Sequence, residues 1–429
     1  MPSVWLTIAS VAIFATLCLA AAAGTPRCHG TANVMTPTTS TPRLVATVPN
    51  GKKFIAGADD DTFYVVHLWG TPYEMGFAQG LLMKEHFGQF QAMFQDYIDS
   101  IINSKLGKKL PAWLIALIEE FGVPLLLDWS YDDTAPFSPA SYRDEMQGVA
   151  DGANISVHFV RRLNMFPELT KAACTIVGAN GPATPTSTIQ HLRGLDFDPS
   201  VPFKDFAQVT VYHGVNGNPT VANFGWTAMI GALTGISDRA IGIGEKVWIN
   251  HAKGIEGVHG QPWMSILRDV LTTRDMDEAL ATIQRANKTC AIHVGVGDST
   301  TNTFRGVTMA KDAFTVYNDT SINYTQHPIL KGIVYWDRHE QPSHDYCLSD
   351  LLKQYYGNIT ASTLALDVSP ISRTGDLHSV TFDYEKLVAF VANARKTNVT
   401  VGDLPAYNRR FTRLDLKALF AEKPPSSGL

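Results

Sequence analysis

Cys174 stands in the run Ala172-Ala173-Cys174-Thr175, and Arg193 and Asp196 follow it by 193 − 174 = 19 and 196 − 174 = 22 positions. A cysteine freed at a chain start carries a thiol nucleophile and an α-amine base, with ordinary pKa values of about 8.5 and about 7.7 to 8.0. One residue then supplies two catalytic groups. A guanidinium beside the sulfur raises the thiolate fraction, and a carboxylate accepts hydrogen bonds from the α-ammonium and orients it. A hairpin from the cysteine strand would return both charged side chains toward the nucleophile. The plain alternative is a small buried hydrophobe at Cys174 beside a chance R-x-x-D pair.

This constellation resembles the N-terminal-nucleophile (Ntn) cysteine hydrolases, the group of acid ceramidase, N-acylethanolamine acid amidase, bile-salt and penicillin V acylases, and acyl-CoA:6-aminopenicillanic acid acyltransferase. Further matches keep the family's order from about residue 60 to about residue 385. Gly70-Thr71-Pro72-Tyr73-Glu74-Met75-Gly76 with Gly80 is similar to the opening of the prosegment. Leu233-Thr234-Gly235 leading to Glu245, and Ser321-Ile322-Asn323-Tyr324 followed by Tyr335-Trp336-Asp337-Arg338, resemble acid-ceramidase segments. Lys109 to Asp133 has no clear ceramidase counterpart and looks closer to acid-ceramidase-like proteins of protists.

The resemblance implies an α+β fold, a four-layer αββα sandwich preceded by a mainly helical N-terminal segment. It implies self-cleavage between Ala173 and Cys174, which frees residues 24–173 from a catalytic part spanning 174–429. It implies a site of Cys174, Arg193, Asp196, Glu245, Asn323 and Arg338, with Asn323 as oxyanion donor and no cofactor. The implied substrate is an N-acylated lipid, ceramide-like or N-acylethanolamine-like, met in transient contact with a membrane surface. Acyl transfer, phospholipase B-like deacylation and catalytically silent lipid binding are the other readings. For Asn323 the plain alternative is a glycosylated loop, for Arg338 a surface ion pair, and for Glu245 a charged strand edge beside Lys246.

Composition suits a secreted enzyme. The 429 residues are 45% hydrophobic, enough for a large core, and carry 35 basic against 40 acidic side chains, a formal charge of −5. That balance gives no electrostatic case for nucleic acid. Val4 to Ala20 is apolar and ends in Ala21-Ala22-Ala23-Gly24, which suits signal-peptidase cleavage near Ala23 and delivery to the exterior or the lysosomal lumen. A retained membrane anchor is the alternative, since the run barely reaches the ~18 to 20 residues of a span.

Removal of residues 1–23 takes Cys18, and Cys174 is needed free, which leaves Cys28, Cys290 and Cys347 for one disulfide. Counting leaves the partner of Cys28 open. The resemblance implies Cys28 with Cys347, a tether between the two pieces. N-x-S/T sequons at Asn154, Asn287, Asn318, Asn358 and Asn398 read as glycosylation sites, with a sixth at Asn323.

The elements that must position these residues are legible in outline. Tyr64 to Leu68 reads as a strand, and Tyr73 to Ile102 as a helix in which Gly76 and Gly80, one turn apart, offer close packing. Tyr142 to Ala150 and Val157 to Leu169 read as helices leading into an extended Cys174 segment. The Gly/Pro/Thr/Ser-rich run from Ala179 to Ser187 reverses the chain into a strand at Ile189 to Phe197. Val209 to His213 and Thr220 to Phe224 flank the hairpin signal Asn216-Gly217. Ile241 to Ile249 reads as a strand, Trp263 to Leu271 and Met276 to Ala286 as helices, and Ala291 to Val296, Arg305 to Ala310 and Ala313 to Tyr317 as strands. Leu114 to Leu127, interrupted by Glu119, Glu120 and Pro124, reads as an amphipathic or buried helix. No H-E-x-x-H, C-x-x-C pair, Walker loop or G-x-S-x-G is present, so the sequence offers no support for a metal or nucleotide site.

Overall fold

The computed structural model describes residues 27–103, 122–170, 172–214, 217–252, 254–257, 259–322, 327–398 and 402–426. Two sheets pack face to face. The larger runs in spatial order β1 (Arg43–Val48), β2 (Gly51–Ala56), β3 (Phe63–Leu68), β6 (Ala207–Tyr212), β7 (Val221–Trp226), β8 (Thr234–Ser237), β9 (Ile241–Val247), β10 (Ile292–Asp298), β11 (Thr303–Ala310) and β12 (Ala313–Tyr317). The smaller runs β13 (Ile333–Trp336), β4 (Ala173–Ala179), β5 (Gln190–Asp196), β14 (His378–Asp383), β15 (Val388–Asn393) and β18 (Thr412–Asp415). A short ribbon of β16 (Arg395–Asn398) and β17 (Gly402–Leu404) stands apart from both.

Aromatic side chains meet between the sheets, and their size sets the spacing. His191 of β5 meets Phe304 of β11 edge to face at 4.9 Å, and Phe224 of β7 meets Phe382 of β14 at 5.3 Å. Alternation along each strand delivers these rings to one face.

Helices cover both outer faces and complete the four layers that the resemblance implies. The large sheet carries α1 (Pro72–Asn103), α2 (Val123–Thr134), α3 (Ala140–Ala153) and α4 (Val157–Leu169) toward one end, and α5 (Trp263–Leu271) and α6 (Met276–Arg285) toward the other. The small sheet is covered by α7 (Cys347–Gln354) and the helical stretch Ala361–Thr363, Leu364–Val368 and Ser369–Ser372. The glycine spacing noted in α1 finds its match in α3. A Cβ on Gly76 would stand 2.1 Å from the Glu145 carbonyl oxygen, and one on Gly152 would stand 2.2 Å from that of Phe77. The two helices therefore touch backbone to backbone, and no larger residue fits.

The residues before the Ala173–Cys174 bond are built into the same body. β3 pairs in parallel with β6, and the buried Arg268 of α5 donates to Glu145 of α3 at 2.7 Å. This N-terminal part is less purely helical than the sequence suggested, since three of its strands extend the large sheet. The signal for the first two was Pro49-Asn50-Gly51, where Asn50 takes a φ of 61°, a region that asparagine tolerates. Cys28 and Cys347 form a disulfide. Among the described residues no helix is long and apolar enough to cross a membrane. The apolar run at residues 1–23 and most of Leu114 to Leu127 lie outside the described residues.

Candidate active site

The β4–β5 hairpin sets the register of the site. Cys174 lies opposite Leu195, Ile176 opposite Arg193, and Ala173 opposite Asp196. Arg193 and Asp196 are three residues apart, an odd step on a strand, so they point to opposite faces. Arg193 shares the face of Cys174, toward the large sheet. Asp196 and Thr175 share the other, toward the helices.

The Cys174 side chain is fully buried. Its Sγ lies 3.5 Å from Arg193 Nη2 and 3.6 Å from a Glu245 carboxylate oxygen on β9. Arg193 Nη2 also donates to that carboxylate, and Arg193 Nε donates to the Glu245 backbone carbonyl at 3.4 Å. This approach needs a bare backbone on β9, because a Cβ on Gly244 would stand 2.8 Å from Arg193 Cγ. Burial pushes the thiol well above its ordinary range, with the Glu245 charge adding to the shift and Arg193 opposing it. Burial also raises Glu245, against the pull of Arg193. In the uncut chain the sulfur is a protonated thiol in contact with a buried ion pair.

On the opposite face Asp196 accepts from Thr374 Oγ1 at 2.8 Å and from the Gly375 N–H at 2.8 Å. The Thr374 hydroxyl also lies 2.6 Å from Thr175 Oγ1. Arg338 stands 3.6 Å from Asp196 and donates to Asp376 at 2.9 Å. Burial raises the Asp196 carboxyl to about 6, against the pull of Arg338. A polar cleft of about 230 Å³, open to solvent, runs along this side past Thr175, Arg338, His339, Asp345 and Ser372.

A second cavity, about 450 Å³ with its open mouth included, reaches Glu245 and Leu195 from the other direction. Phe166, Phe203, Trp226, Met229, Leu233 and Trp263 are among its apolar wall residues. Among the described residues, only Thr170 and Glu245 bring a hydroxyl or a carboxylate to its lining. Thr170 and Ala172, on the approach to the Ala173–Cys174 bond, form part of the wall. That approach is pinned by Glu168, which accepts from the Trp263 N–H at 2.9 Å and from Thr289 Oγ1 at 2.7 Å. Among the described residues, the buried donors Arg193 Nη1 and Trp226 Nε1 have no protein acceptor.

Over 403 residues the chain is 36% identical to Protein dcd1B of Dictyostelium discoideum, an alignment covering 90% of this chain and 80% of that protein. The chain belongs to the dcd1 family. Protein dcd1A of the same organism is 34% identical over 418 residues, covering 92% of this chain and 94% of its own. No family model matches this dcd1 relative. Among solved structures, the Caenorhabditis elegans N-acylethanolamine-hydrolyzing acid amidase ortholog is 16% identical, with a TM-score of 0.38 over 49% of this chain and 93% of its own. Penicillin V acylase from Agrobacterium tumefaciens is 9% identical, with a TM-score of 0.36 over 57% of this chain and 92% of its own.

In this dcd1 family member Cys174, Arg193 and Glu245 touch, while Asp196 and Arg338 pair on the far face of the hairpin. Asn323 lies outside the described residues. The sequon residues Asn154, Asn287, Asn318 and Asn358 are exposed, and Asn398 ends β16. Cys290 is not in a disulfide, and its sulfur lies 3.2 Å from Glu168 Oε2. Sequence reasoning missed Thr374 and Asp376, which hold Asp196 and Arg338, and passed over Lys246 as a strand-edge charge although it is buried. Alternation was the available signal for Lys246, since Gly242 and Gly244 precede it on the same face of the strand.

Proposed function

We propose that this chain is an autoprocessed cysteine amidohydrolase that cuts itself before Cys174 and then hydrolyses the amide bond of N-acylated lipids through a thioester. The observation that carries the reading is a thiol in contact with a buried Arg–Glu pair whose Glu245 lines an apolar cavity, with a carboxylate opposite the preceding residue on the ladder. In the precursor the Cys174 sulfur attacks the Ala173 carbonyl. The peptide C–N bond breaks, a thioester forms, and its hydrolysis leaves a carboxylate on Ala173 and a free thiol and amine on Cys174.

In turnover the α-amine takes the thiol proton and the thiolate adds to the substrate carbonyl. The developing oxyanion meets donors aimed at it, for which Arg193 Nη1, Trp226 Nε1 and Asn323 are the candidates. The leaving amine takes the proton, and water resolves the thioester to a carboxylic acid. The apolar cavity suits an acyl chain, and Asp196 suits the ammonium that cleavage creates. Cys28–Cys347 would then tether the two chains.

Gels run with and without reductant, with terminal sequencing, test the processing step, and release of fatty acid from N-acyl lipids tests turnover. Wild-type protein should give two bands only after reduction, the second beginning at Cys174. Cys174→Ala should stay one chain and lose turnover by about 10⁴-fold or more, as when a nucleophile is removed elsewhere. An alanine variant that is cut normally at this bond and hydrolyses amides would sink the proposal.

A further inference from the structure

Lys246 follows Glu245 on β9, and alternation puts it on the face that Gly242 and Gly244 turn toward the small sheet. It is 1% exposed, and Nζ has no hydrogen-bond partner among the described residues. Lysine is almost never fully buried unless it is paired, because an unpaired ammonium in a dry interior costs several kcal/mol. A lysine held this way calls for a counter-charge.

The groups facing it come from five elements. They are Cys174 on β4, His191 and Arg193 on β5, Glu245 on β9 itself, His293 directly across the ladder on β10, and Asp337 just past β13, while the charge of Asp196 acts from the far face of the hairpin. Most of these are already occupied. Arg193 and Glu245 neutralise one another, so together they place no net charge beside the sulfur. Asp196 has Arg338, Thr374 and Gly375, and Asp337 accepts from the His339 N–H at 2.9 Å and Gln341 Nε2 at 3.0 Å. Burial lowers His191 and His293 each to about 3, so both are neutral. His293 is further fixed by Thr308 at 2.8 Å and by stacking on Trp336 at 4.9 Å. Among the described groups facing the sulfur, Lys246 is the cation without a paired anion.

We infer that Lys246 is a positioning residue for the nucleophile, an ammonium held between the sheets as the counter-charge of the thiolate that forms at Cys174. The inference rests on the reading of Cys174 as nucleophile. When the thiol passes its proton to the freed α-amine, the new negative charge appears in the layer that Lys246 occupies. Burial lowers the Lys246 pKa, and the negative charges around it, the Cys174 thiolate first among them, oppose that shift and favour the ammonium. The Arg193–Glu245 pair fixes where the sulfur sits, and Lys246 supplies the net positive field that the neutral pair lacks.

The test uses the mature two-chain protein with Lys246→Met, Lys246→Gln and Lys246→Arg. Iodoacetamide alkylation of the Cys174 peptide, followed by mass spectrometry against pH, reads the thiol without any substrate. Met and Gln should raise its inflection by about one unit, as expected on losing a nearby opposite charge, and Arg should restore the wild-type value. On the acid side of the inflection kcat/KM should fall about tenfold for Met and Gln, carried by kcat with KM unchanged. A wild-type inflection in the Met and Gln variants overturns the inference, as does an Arg variant that behaves like Met. Were Lys246 instead a neutral base, Arg would be the inactive substitution. The alkylation inflection and the turnover of Cys174→Ala are separate readouts. Active Cys174→Ala would remove the nucleophile reading itself, whereas an unmoved inflection beside an inactive Cys174→Ala removes only the role of Lys246.

Discussion

The two faces of the β4–β5 hairpin have different surroundings. On the face toward the large sheet, Cys174, Arg193 and Glu245 are almost entirely out of water, and Glu245 lines an apolar cavity. On the face toward the helices, Asp196 is buried, but Arg338 keeps 30% of its side chain exposed beside a polar cleft. An intact strand keeps the two groups apart. Their common point is the backbone between Ala173 and Cys174, opposite Asp196 and Leu195. Cleavage there would turn the first bond of β4 into a chain start, with the sulfur on one side and the new ammonium near the carboxylate on the other.

The difference predicts unequal costs for two arginine substitutions, best measured by urea unfolding in the uncut Cys174→Ala background. Arg193→Met leaves Glu245 without its partner in a dry interior, a loss of about 3 to 5 kcal/mol. Arg338→Met removes a half-exposed charge from carboxylates that keep other donors, and should cost about 1 kcal/mol or less. Equal losses would mean that the two faces are not different environments.

A weaker effect concerns pH. The folded Asp196 carboxyl sits at about 6 against an ordinary value of 3.8, so folding favours its protonated form. That contribution is complete below about pH 4 and is lost as pH rises through about 6, on the order of 1 to 3 kcal/mol. In the same uncut background, Asp196→Asn should flatten the unfolding free energy between pH 4 and 6 relative to its parent. Parallel curves would place the carboxyl at its ordinary value, with Arg338 and the two hydrogen bonds outweighing burial.

How much of this was legible depends on whether the determining contacts are local. Most strands and helices from Phe63 to Tyr317 followed their periodicities, with Val157–Leu169 and Trp263–Leu271 read to the residue, because each carries its apolar pattern within itself, whereas the strand Thr234–Ser237 and most of the helix Val123–Thr134 were not anticipated. The spacing of Cys174, Arg193 and Asp196 suggested a return toward the nucleophile, but treating the two charges as a unit overlooked the period of two. Lys246 looked like an ordinary surface charge until the sheet facing it was in view. The cavity was not readable, since its walls come from segments between Phe166 and Leu377 that only the folded chain brings together.

The smallest effect tests which side takes which part of the substrate. Leu233 lies in the wall of the apolar cavity, and Leu233→Trp adds an indole's bulk to a space of about 450 Å³. If an acyl chain fills that space, long-chain amides lose room while short ones do not. The expected outcome is about a tenfold fall in kcat/KM for long chains with short chains unchanged, in keeping with the 1 to 3 kcal/mol that one methylene is worth in an apolar pocket. His339→Ala on the other side is the control. His339 borders the polar cleft and is half exposed, so its loss should leave the chain-length ratio alone and alter discrimination among amine head groups. Reversal of the two results, with chain length answering to His339 and head group to Leu233, would exchange the two faces. In that case the apolar cavity would hold the leaving amine, and the N-acyl chain would lie along the helices.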